Sequence, residues 1–316
     1  MCGRINLSDN EGVQALMAML GVPLLPEQTP LTSDASFQPR WNISPSATLS
    51  ALVADSMNDR ATLNNTTMRW GLEAPWSEPG KGVRRLINAR SETLLSKPTF
   101  RDLAKHHRTV IPVNGFYEWK REGDNRIPYY IQVQELPAML LAAVYQPMSA
   151  EDIAKEMRTL QANAEAKAKA KKLANAKKAE NEANANAQMG FLFDDEPSAT
   201  STGQVDRNLH KSLQENRQNS SQETTQPLET AATDFTGDFA VVTTQATNAM
   251  ADIHHRAPVM LNVEQAMRWL HTEDPAEIES LSAPESIMEV SVRRVSRAVN
   301  SSRNDGPECV GPPEED

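Results

Sequence analysis

Cys2 is the residue whose position in this 316-residue chain offers the most distinctive chemistry. Methionine is readily removed before a small second residue, so Cys2 can become the mature amino terminus. It would then carry a free α-amine and a thiol on adjacent carbons. The amine titrates at roughly 7.7–8 and the thiol near about 8.5, so we expect both to be partly nucleophilic at neutral pH. Such an aminothiol condenses with an aldehyde to a Schiff base, and the thiol then closes a thiazolidine ring.

Three further side chains could assist this chemistry, namely Asn88, Glu118 and His254. Each also has an ordinary structural interpretation. An asparagine in a loop caps backbone groups, a glutamate between aromatic residues of a strand is a surface carboxylate, and a histidine before an arginine holds a loop together. Cys2 itself could be an incidental residue at a frayed terminus. The sequence around these residues, rather than any one of them, indicates a site.

Four short motifs surround these residues in a fixed order along the chain. They are Cys2–Arg4 (CGR), Asn88–Arg90 (NAR), Gly115–Lys120 (GFYEWK) and Ile253–Val259 (IHHRAPV). In this combination the chain resembles the SRAP family (SOS response-associated peptidase), whose members sense abasic sites in single-stranded DNA and crosslink to them. The resemblance spans residues 1–147 and 237–300. Because His255 follows His254, the assignment of His254 rests on alignment to the family's pattern.

The resemblance implies a role for each of the four central residues. Cys2 would be the catalytic residue that traps the sugar aldehyde as a thiazolidine crosslink. Glu118 would open the closed sugar as a general acid or base, and partial burial would raise its pKa toward that task. Asn88 would position the amine and the sugar. His254 would transfer protons as the Schiff base forms and collapses. Autoproteolysis that exposes Cys2 and a weak strand-cleaving lyase step would be secondary activities.

The resemblance also implies a surface for single-stranded DNA. Arg4 and Arg90 would hold the phosphates that flank the lesion, and Trp76 would stack on a base or wedge against duplex. Thr243 and Arg256 are further family positions that we expect to contact DNA. Packing in the core is the alternative for Trp76.

Strands and helices that could position these residues are visible in the hydrophobic pattern. Alternating apolar residues between glycine-containing turns predict an antiparallel sheet over residues 108–145. Helical spacing predicts helices over residues 11–20 and 263–271. With the family resemblance, we expect an α+β fold with mainly antiparallel sheets, a barrel-like core and flanking helices. Residues 2–147 and 237–300 would form a single domain.

A long segment interrupts that domain. Residues 150–236 are rich first in Ala, Lys, Glu and Asn and then in Ser, Thr and Gln, a composition typical of a tethered or disordered insertion. Within it, Gln188, Phe191 and Phe193 resemble the peptides by which bacterial repair proteins dock on the replication sliding clamp. Folding back of this peptide onto the domain is the alternative. Residues 301–316 are predicted to be a flexible acidic tail.

Composition excludes several classes of protein. The chain has no run of apolar residues long enough to span a membrane and no apolar signal core, so we expect a cytoplasmic protein. With the family resemblance, we also expect it to be nucleoid-associated and to act as a monomer. Two cysteines at opposite ends make a disulfide framework or a zinc site unlikely on spacing, and we expect no cofactor or metal. The net charge of −10 is concentrated in the later parts of the chain, which leaves a local basic groove possible near the amino terminus.

Three other functions fit the amino-terminal cysteine. An N-terminal-nucleophile amidohydrolase would need an Asn-Gly pair and glutamine-binding motifs early in the chain, and we find neither. A thiol peptidase would use Cys2 and His254 as a dyad. A non-catalytic reader of single-stranded DNA would use Cys2 only structurally. Incubation with an oligonucleotide that contains one abasic site separates these possibilities, because only the proposed chemistry gives a heat-stable crosslink.

Overall fold

The computed structural model describes residues 2–22, 39–54, 62–77, 84–134, 136–149, 235–284 and 288–313, with four isolated positions between 151 and 169. Met1–Ile153 and Ala232–Asp316 form one compact unit, and Ala154–Ala231 form a second. The predicted insertion lies almost wholly outside the described residues. So do Gln188, Phe191 and Phe193, the predicted clamp-binding peptide.

The described strands and helices follow one another along the chain in a mainly β pattern. The strands are β1 (Ile5–Leu7), β2 (Arg40–Ile43), β3 (Thr48–Ala54), β4 (Leu63–Trp70), β5 (Leu72–Glu73), β6 (Arg85–Leu86), β7 (Asn88–Arg90), β8 (Arg108–Val113), β9 (Gly115–Glu122), β10 (Asn125–Val133), β11 (Met139–Pro147), β12 (Phe235–Gln245), β13 (Arg256–Pro258), β14 (Met260–Leu261) and β15 (Val290–Arg294). The helices are α1 (Asn10–Met19), α2 (Pro98–His106), α3 (Asn248–Ala251), α4 (Val263–His271) and α5 (Pro275–Leu281).

Two sheets carry the architecture. The smaller sheet has the strand order β15-β10-β9-β1-β2, and all its pairings are antiparallel. The larger sheet runs β13-β12-β4-β3-β8-β11-β14, and an additional pairing of β12 with β11 closes it into a ring. The predicted α+β fold with mainly antiparallel sheets is therefore confirmed. The exceptions are β4 and β7, which both pair with β12 in parallel.

The main core explains why these segments form strands. Residues 139–144 of β11 are all buried, because one face of this strand packs inside the ring and the other is covered by helices. Helices α1, α4 and α5 begin at side chains that accept backbone hydrogen bonds. Asp9 caps α1 through the amide of Gly12, and Asn262 forms a capping box with Gln265 at the start of α4. Among the described residues, no helix is both long enough and apolar enough to cross a membrane.

A second, smaller core lies on the other side of β9. Alternation along the strand turns Phe116 toward the main core and Tyr117 away from it. Tyr117 and Tyr130 pack there with Val295, Val299 and Cys309, all of them buried. Residues close to the carboxyl end of the chain therefore form part of the fold.

The expectation of a flexible tail from residue 301 is wrong as far as residue 313. Asp305 accepts hydrogen bonds from the backbone amides of Trp41 (2.7 Å) and Asn42 (2.9 Å) on β2. The Asn42 side chain donates in turn to the carbonyl oxygens of Val299, Ser301 and Asn304. These bonds join the tail to the edge of the smaller sheet. The polar composition that resembled disorder supplies the groups that make this attachment.

Candidate active site

Cys2 lies where the two sheets approach each other. The strand that follows it, β1, pairs with β9 in the register Ile5↔Phe116, and the amide of Tyr117 donates to the carbonyl oxygen of Arg4 at 3.0 Å. From the larger sheet, Asn88 Nδ2 donates to the carbonyl oxygen of Cys2 at 2.9 Å. The residue is fully buried. Asn88 of β7 thus holds the backbone of Cys2, and β9 holds the chain two residues later.

The Cys2 thiol is held in its neutral form. Burial raises its pKa far above the ordinary value, and the nearby carboxylate of Glu118 raises it further, while the positive amino terminus opposes both effects. Burial in the folded chain therefore opposes the partial ionisation expected from the ordinary pKa of a cysteine. A thiol in this state reacts only if a neighbouring group takes its proton as sulfur attacks.

Glu118 is a buried carboxyl group in the middle of β9, with only 4% of its surface exposed. Burial raises its pKa, as the sequence predicted, whereas the positive amino terminus and His255 favour the ionised form and lower it. Opposing influences of this kind are typical of a group that exchanges protons near neutral pH. Its carboxylate raises the pKa of the Cys2 thiol, which indicates that the two side chains lie close together.

The side-chain nitrogen of Asn88 is hydrogen-bonded, and its side-chain oxygen is available to accept a hydrogen bond. Its nitrogen bonds Cys2, whereas its oxygen is buried without a hydrogen-bond partner among the described residues. An unpaired buried oxygen is costly, because it has lost its hydration without replacement. It is positioned to accept a hydrogen bond from an amine or a hydroxyl group that enters the site.

His254 begins the turn that leads into β13. Its Nδ1 lies 3.0 Å from the amide nitrogen of Arg256 and 3.1 Å from the carbonyl oxygen of the same residue. In the neutral ring, Nδ1 accepts from the amide, which leaves the proton on Nε2. In the charged ring, Nδ1–H can donate to the carbonyl. Burial lowers the pKa of His254, and the positive amino terminus lowers it further, so the neutral ring is favoured.

Arg256 and Thr243 lie beneath this turn rather than on the surface. The two terminal nitrogens of the Arg256 guanidinium donate to the two oxygens of the Glu92 carboxylate, one of them at 3.0 Å. The guanidinium also donates to the carbonyl oxygen of Thr243 at 2.5 Å. Arg256 is 8% exposed and Thr243 is fully buried. The expected direct contacts of these two residues with DNA stay a prediction. The two residues hold the backbone that in turn orients His254.

The other predicted DNA contacts are at the surface or near it. Arg90 is exposed and lies two residues beyond Asn88 on β7, which places both on one face of that strand. Trp76 is 51% exposed in the loop after β5, which excludes core packing for it. Arg4 is half-buried. Its guanidinium lies 5.9 Å from the ring centroid of Trp119 and donates to Asn42 Oδ1 at 2.6 Å.

Two residues that matter to this geometry were not predicted. Glu92 follows Arg90 closely in the sequence, but a single glutamate gives no indication of the arginine it binds 164 positions away. Asn42 could have been suspected from its place before Ile43 in a strand, since a polar residue there needs buried partners. Its partners come from the distant carboxyl-terminal segment. Among the described residues, no group of three or more His, Cys, Asp or Glu side chains could hold a metal ion.

Comparison with known proteins identifies a family model, two related proteins and a solved structure that resemble this chain. The model of the SOS response associated peptidase (SRAP) family matches residues 1–236 and 213–302. Abasic site processing protein YoqW of Bacillus subtilis (strain 168) is 25% identical over 280 residues, which cover 88% of each chain. Abasic site processing protein HMCES of Mus musculus is 25% identical over 285 residues, 87% of this chain and 65% of HMCES. A crystal structure of a protein from Bacteroides thetaiotaomicron, 16% identical, covers 98% of this chain and 99% of its own with a TM-score of 0.54, a likeness of fold alone.

Proposed function

Because the chain belongs to the SRAP family, we propose that it processes abasic sites in DNA, as the names of its relatives say of them. The finer proposal is that it binds single-stranded DNA and traps the abasic sugar covalently through Cys2. The observation that supports this most directly is the convergence on Cys2. Its carbonyl oxygen accepts a hydrogen bond from Asn88, and its thiol is electrostatically coupled to Glu118.

The first step opens the sugar. An abasic deoxyribose is mostly a closed hemiacetal, so its aldehyde must be released before an amine can attack. Glu118, whose pKa is raised by burial, donates a proton to the ring oxygen from one carboxyl oxygen and accepts the proton of the anomeric hydroxyl on the other. The Asn88 oxygen, buried and unpaired, accepts a hydrogen bond from the incoming amine or sugar hydroxyl.

The second step joins protein and DNA. The α-amine of processed Cys2 attacks the aldehyde carbon to give a carbinolamine, which loses water to form an iminium ion. The neutral thiol then attacks the same carbon, its proton passes to a neighbouring base, and the C=N bond becomes a C–N single bond in the thiazolidine. His254 suits these proton transfers, because backbone groups of Arg256 accommodate both its neutral and its charged ring. The net reaction releases one water per crosslink.

A thiol peptidase is less well supported. Such an enzyme needs a thiolate, and therefore a cysteine pKa lowered by a neighbouring imidazolium or helix terminus. Burial has the opposite effect on Cys2 here. The buried thiol suits attack on an activated iminium carbon better than attack on an unactivated peptide.

The proposal is tested with the purified full chain and two matched single-stranded oligonucleotides, one with a single abasic site and one with the natural base. We expect a heat-stable shifted band with the abasic oligonucleotide only. Intact-mass spectrometry should show that the reactive protein lacks Met1, and that the crosslink has the mass of both partners minus one water. A native chain that retains Met1 and still crosslinks equally would exclude the aminothiol mechanism.

A separate prediction concerns Glu92, which we propose to be a positioning residue acting on His254 through Arg256. Glu92→Gln removes the charge that anchors the Arg256 guanidinium, so the crosslinking rate should fall about fivefold, as expected for roughly 1 kcal/mol. Arg256 lowers the pKa of His254. Without the opposing carboxylate, the limb of the pH–rate profile controlled by His254 should move to lower pH.

The matched control for Glu92→Gln is Glu277→Gln, which breaks another arginine–glutamate pair, Arg268–Glu277 at 2.6 Å. This pair joins α4 to α5 and should affect neither the rate nor the profile. Identical rates and identical pH profiles for the two variants would show that the Glu92–Arg256 pair does not position His254.

A further inference from the structure

The hairpin of β9 and β10 carries two arginines that face each other. In the antiparallel register, Arg121 lies directly opposite Arg126, so their side chains emerge on the same face of the sheet. Both residues are exposed. The turn that joins the strands contains Gly123, whose φ of 62° lies in the left-handed region that favours glycine. The tight turn fixes the register and therefore the pairing of the two arginines.

Like charges at directly opposed positions destabilise an antiparallel pair. Among the described residues, neither arginine forms an ion pair or a side-chain hydrogen bond that would offset this cost. The neighbouring acids are Glu122 and Asp124. Glu122 pairs with Lys120 at 3.5 Å, and alternation places that pair on the opposite face of the hairpin. Asp124 is exposed in the turn and lies more than an ion-pair distance from either guanidinium.

The arginine pair lies on the face of β9 that also carries Trp119. Arg121 is three residues beyond Glu118, or about 10 Å along the strand, and alternation places it on the opposite face from Glu118. Its charge is the weakest of those that lower the pKa of His254. The guanidinium of Arg4, two residues after Cys2, stands over the ring of Trp119. Arg4, Trp119 and Arg121 thus form a row of basic and aromatic groups that runs along this face to the hairpin.

We propose that Arg121 and Arg126 form a phosphate-binding pair for the single DNA strand as it leaves the active site. This inference rests on the proposed function and extends it to the nucleotides beyond the lesion. Guanidinium groups bind phosphodiester oxygens with charge-assisted hydrogen bonds. A DNA strand whose phosphates bind the two guanidinium groups would remove the repulsion between these groups in the unbound hairpin. Since the contacts would be made to the backbone, the pair should hold DNA of any sequence.

The test compares a double variant, Arg121→Gln/Arg126→Gln, with a control of equal charge change. The control is Arg101→Gln/Arg268→Gln, two exposed arginines that already have acidic partners in Asp102 and Glu277. Fluorescence anisotropy measures the binding of each full-length protein to an undamaged single-stranded oligonucleotide over a series of salt concentrations. Crosslinking to the abasic oligonucleotide is measured separately at saturating DNA.

We expect the hairpin variant to bind about tenfold more weakly at low salt. Its plot of log affinity against log salt should be shallower by about 1.4, since each phosphate contact on a single strand contributes about 0.7. Its crosslinking rate at saturation should match the parent, because the reacting groups are untouched. A slope equal to that of the control overturns the inference, whether or not affinity falls. A parent that never crosslinks refutes the proposed function instead, and the slopes on undamaged DNA still decide the role of the hairpin.

A single substitution tests whether Arg121 and Arg126 repel each other. Arg126→Glu places opposite charges across the hairpin, so its thermal unfolding midpoint should exceed that of Arg126→Gln while its affinity for the oligonucleotide is lower. A midpoint below that of Arg126→Gln would contradict the like-charge argument on which the inference depends.

Discussion

Cys2→Ala will abolish the heat-stable crosslink to an abasic oligonucleotide while preserving a labile one. Alanine keeps the α-amine after removal of Met1, so an iminium ion can still form at the sugar aldehyde. It lacks the sulfur that closes the thiazolidine, so the adduct remains open to hydrolysis. We expect at least a 100-fold loss of heat-stable product. Borohydride, which reduces an imine to a stable amine, should restore a band of the same size.

The chain supplies a matched control in its second cysteine. Cys309 is also fully buried, but it packs with Tyr117 and Tyr130 in the smaller core rather than at the site. Cys309→Ala should lower the midpoint of thermal unfolding, because it removes a packed side chain. Its yield of heat-stable crosslink should equal that of the parent. Equal yields from Cys2→Ala and the parent would refute the aminothiol mechanism.

Glu118→Gln is expected to separate activity from stability. Glutamine keeps the shape of the side chain but cannot donate a carboxyl proton, so the crosslinking rate should fall by about 100-fold or more. In the parent, the rate should decline as pH rises through the raised pKa of Glu118, since the protonated form is lost. This decline in rate at higher pH should be absent from the pH–rate profile of Glu118→Gln. Glu122→Gln, an exposed change on the same strand, should retain the parent's rate and profile.

The stability effect of Glu118→Gln has the opposite sign. The folded-state pKa of Glu118 is raised above its unfolded value of about 4.3, so its favourable contribution is complete below that value and is lost as pH rises through the folded pKa. At neutral pH the parent therefore has to bury a carboxylate that is disfavoured by desolvation. Glutamine avoids that cost, and its thermal midpoint should be higher. A variant that is both less stable and inactive would instead indicate general damage to the site.

The residues of the candidate site could be named from the sequence because their motifs are local. Asn88, Glu118 and His254 each lie within a short stretch whose residue types are distinctive, and the antiparallel strands follow from alternation in the same stretches. The parallel pairing of β12 with β7, which brings Asn88 toward Cys2, joins segments about 150 residues apart and has no local signal. The ion pair of Glu92 with Arg256 depends on that pairing. It was not predicted for the same reason.

The burial of Cys2 and the attachment of the carboxyl-terminal segment to β2 could not be predicted from local sequence patterns either. The segment around Asp305 is polar and rich in turn-forming residues, which is typical of a frayed end. Its order comes from hydrogen bonds to backbone amides of β2, more than 260 residues earlier. The state of the Cys2 thiol likewise depends on how completely the fold encloses it. A reference pKa describes a cysteine in water and not in this interior.

The joining of the tail to β2 has a consequence for the order of events during protein synthesis. The layer that holds Arg4 is complete only when Asp305 and its neighbours have been translated and have left the ribosome. Until then the amides of Trp41 and Asn42 and the Asn42 side chain lack the partners that they have in the finished fold. A prematurely terminated polypeptide would therefore lack the hydrogen bonds that fix β2 to the end of the chain.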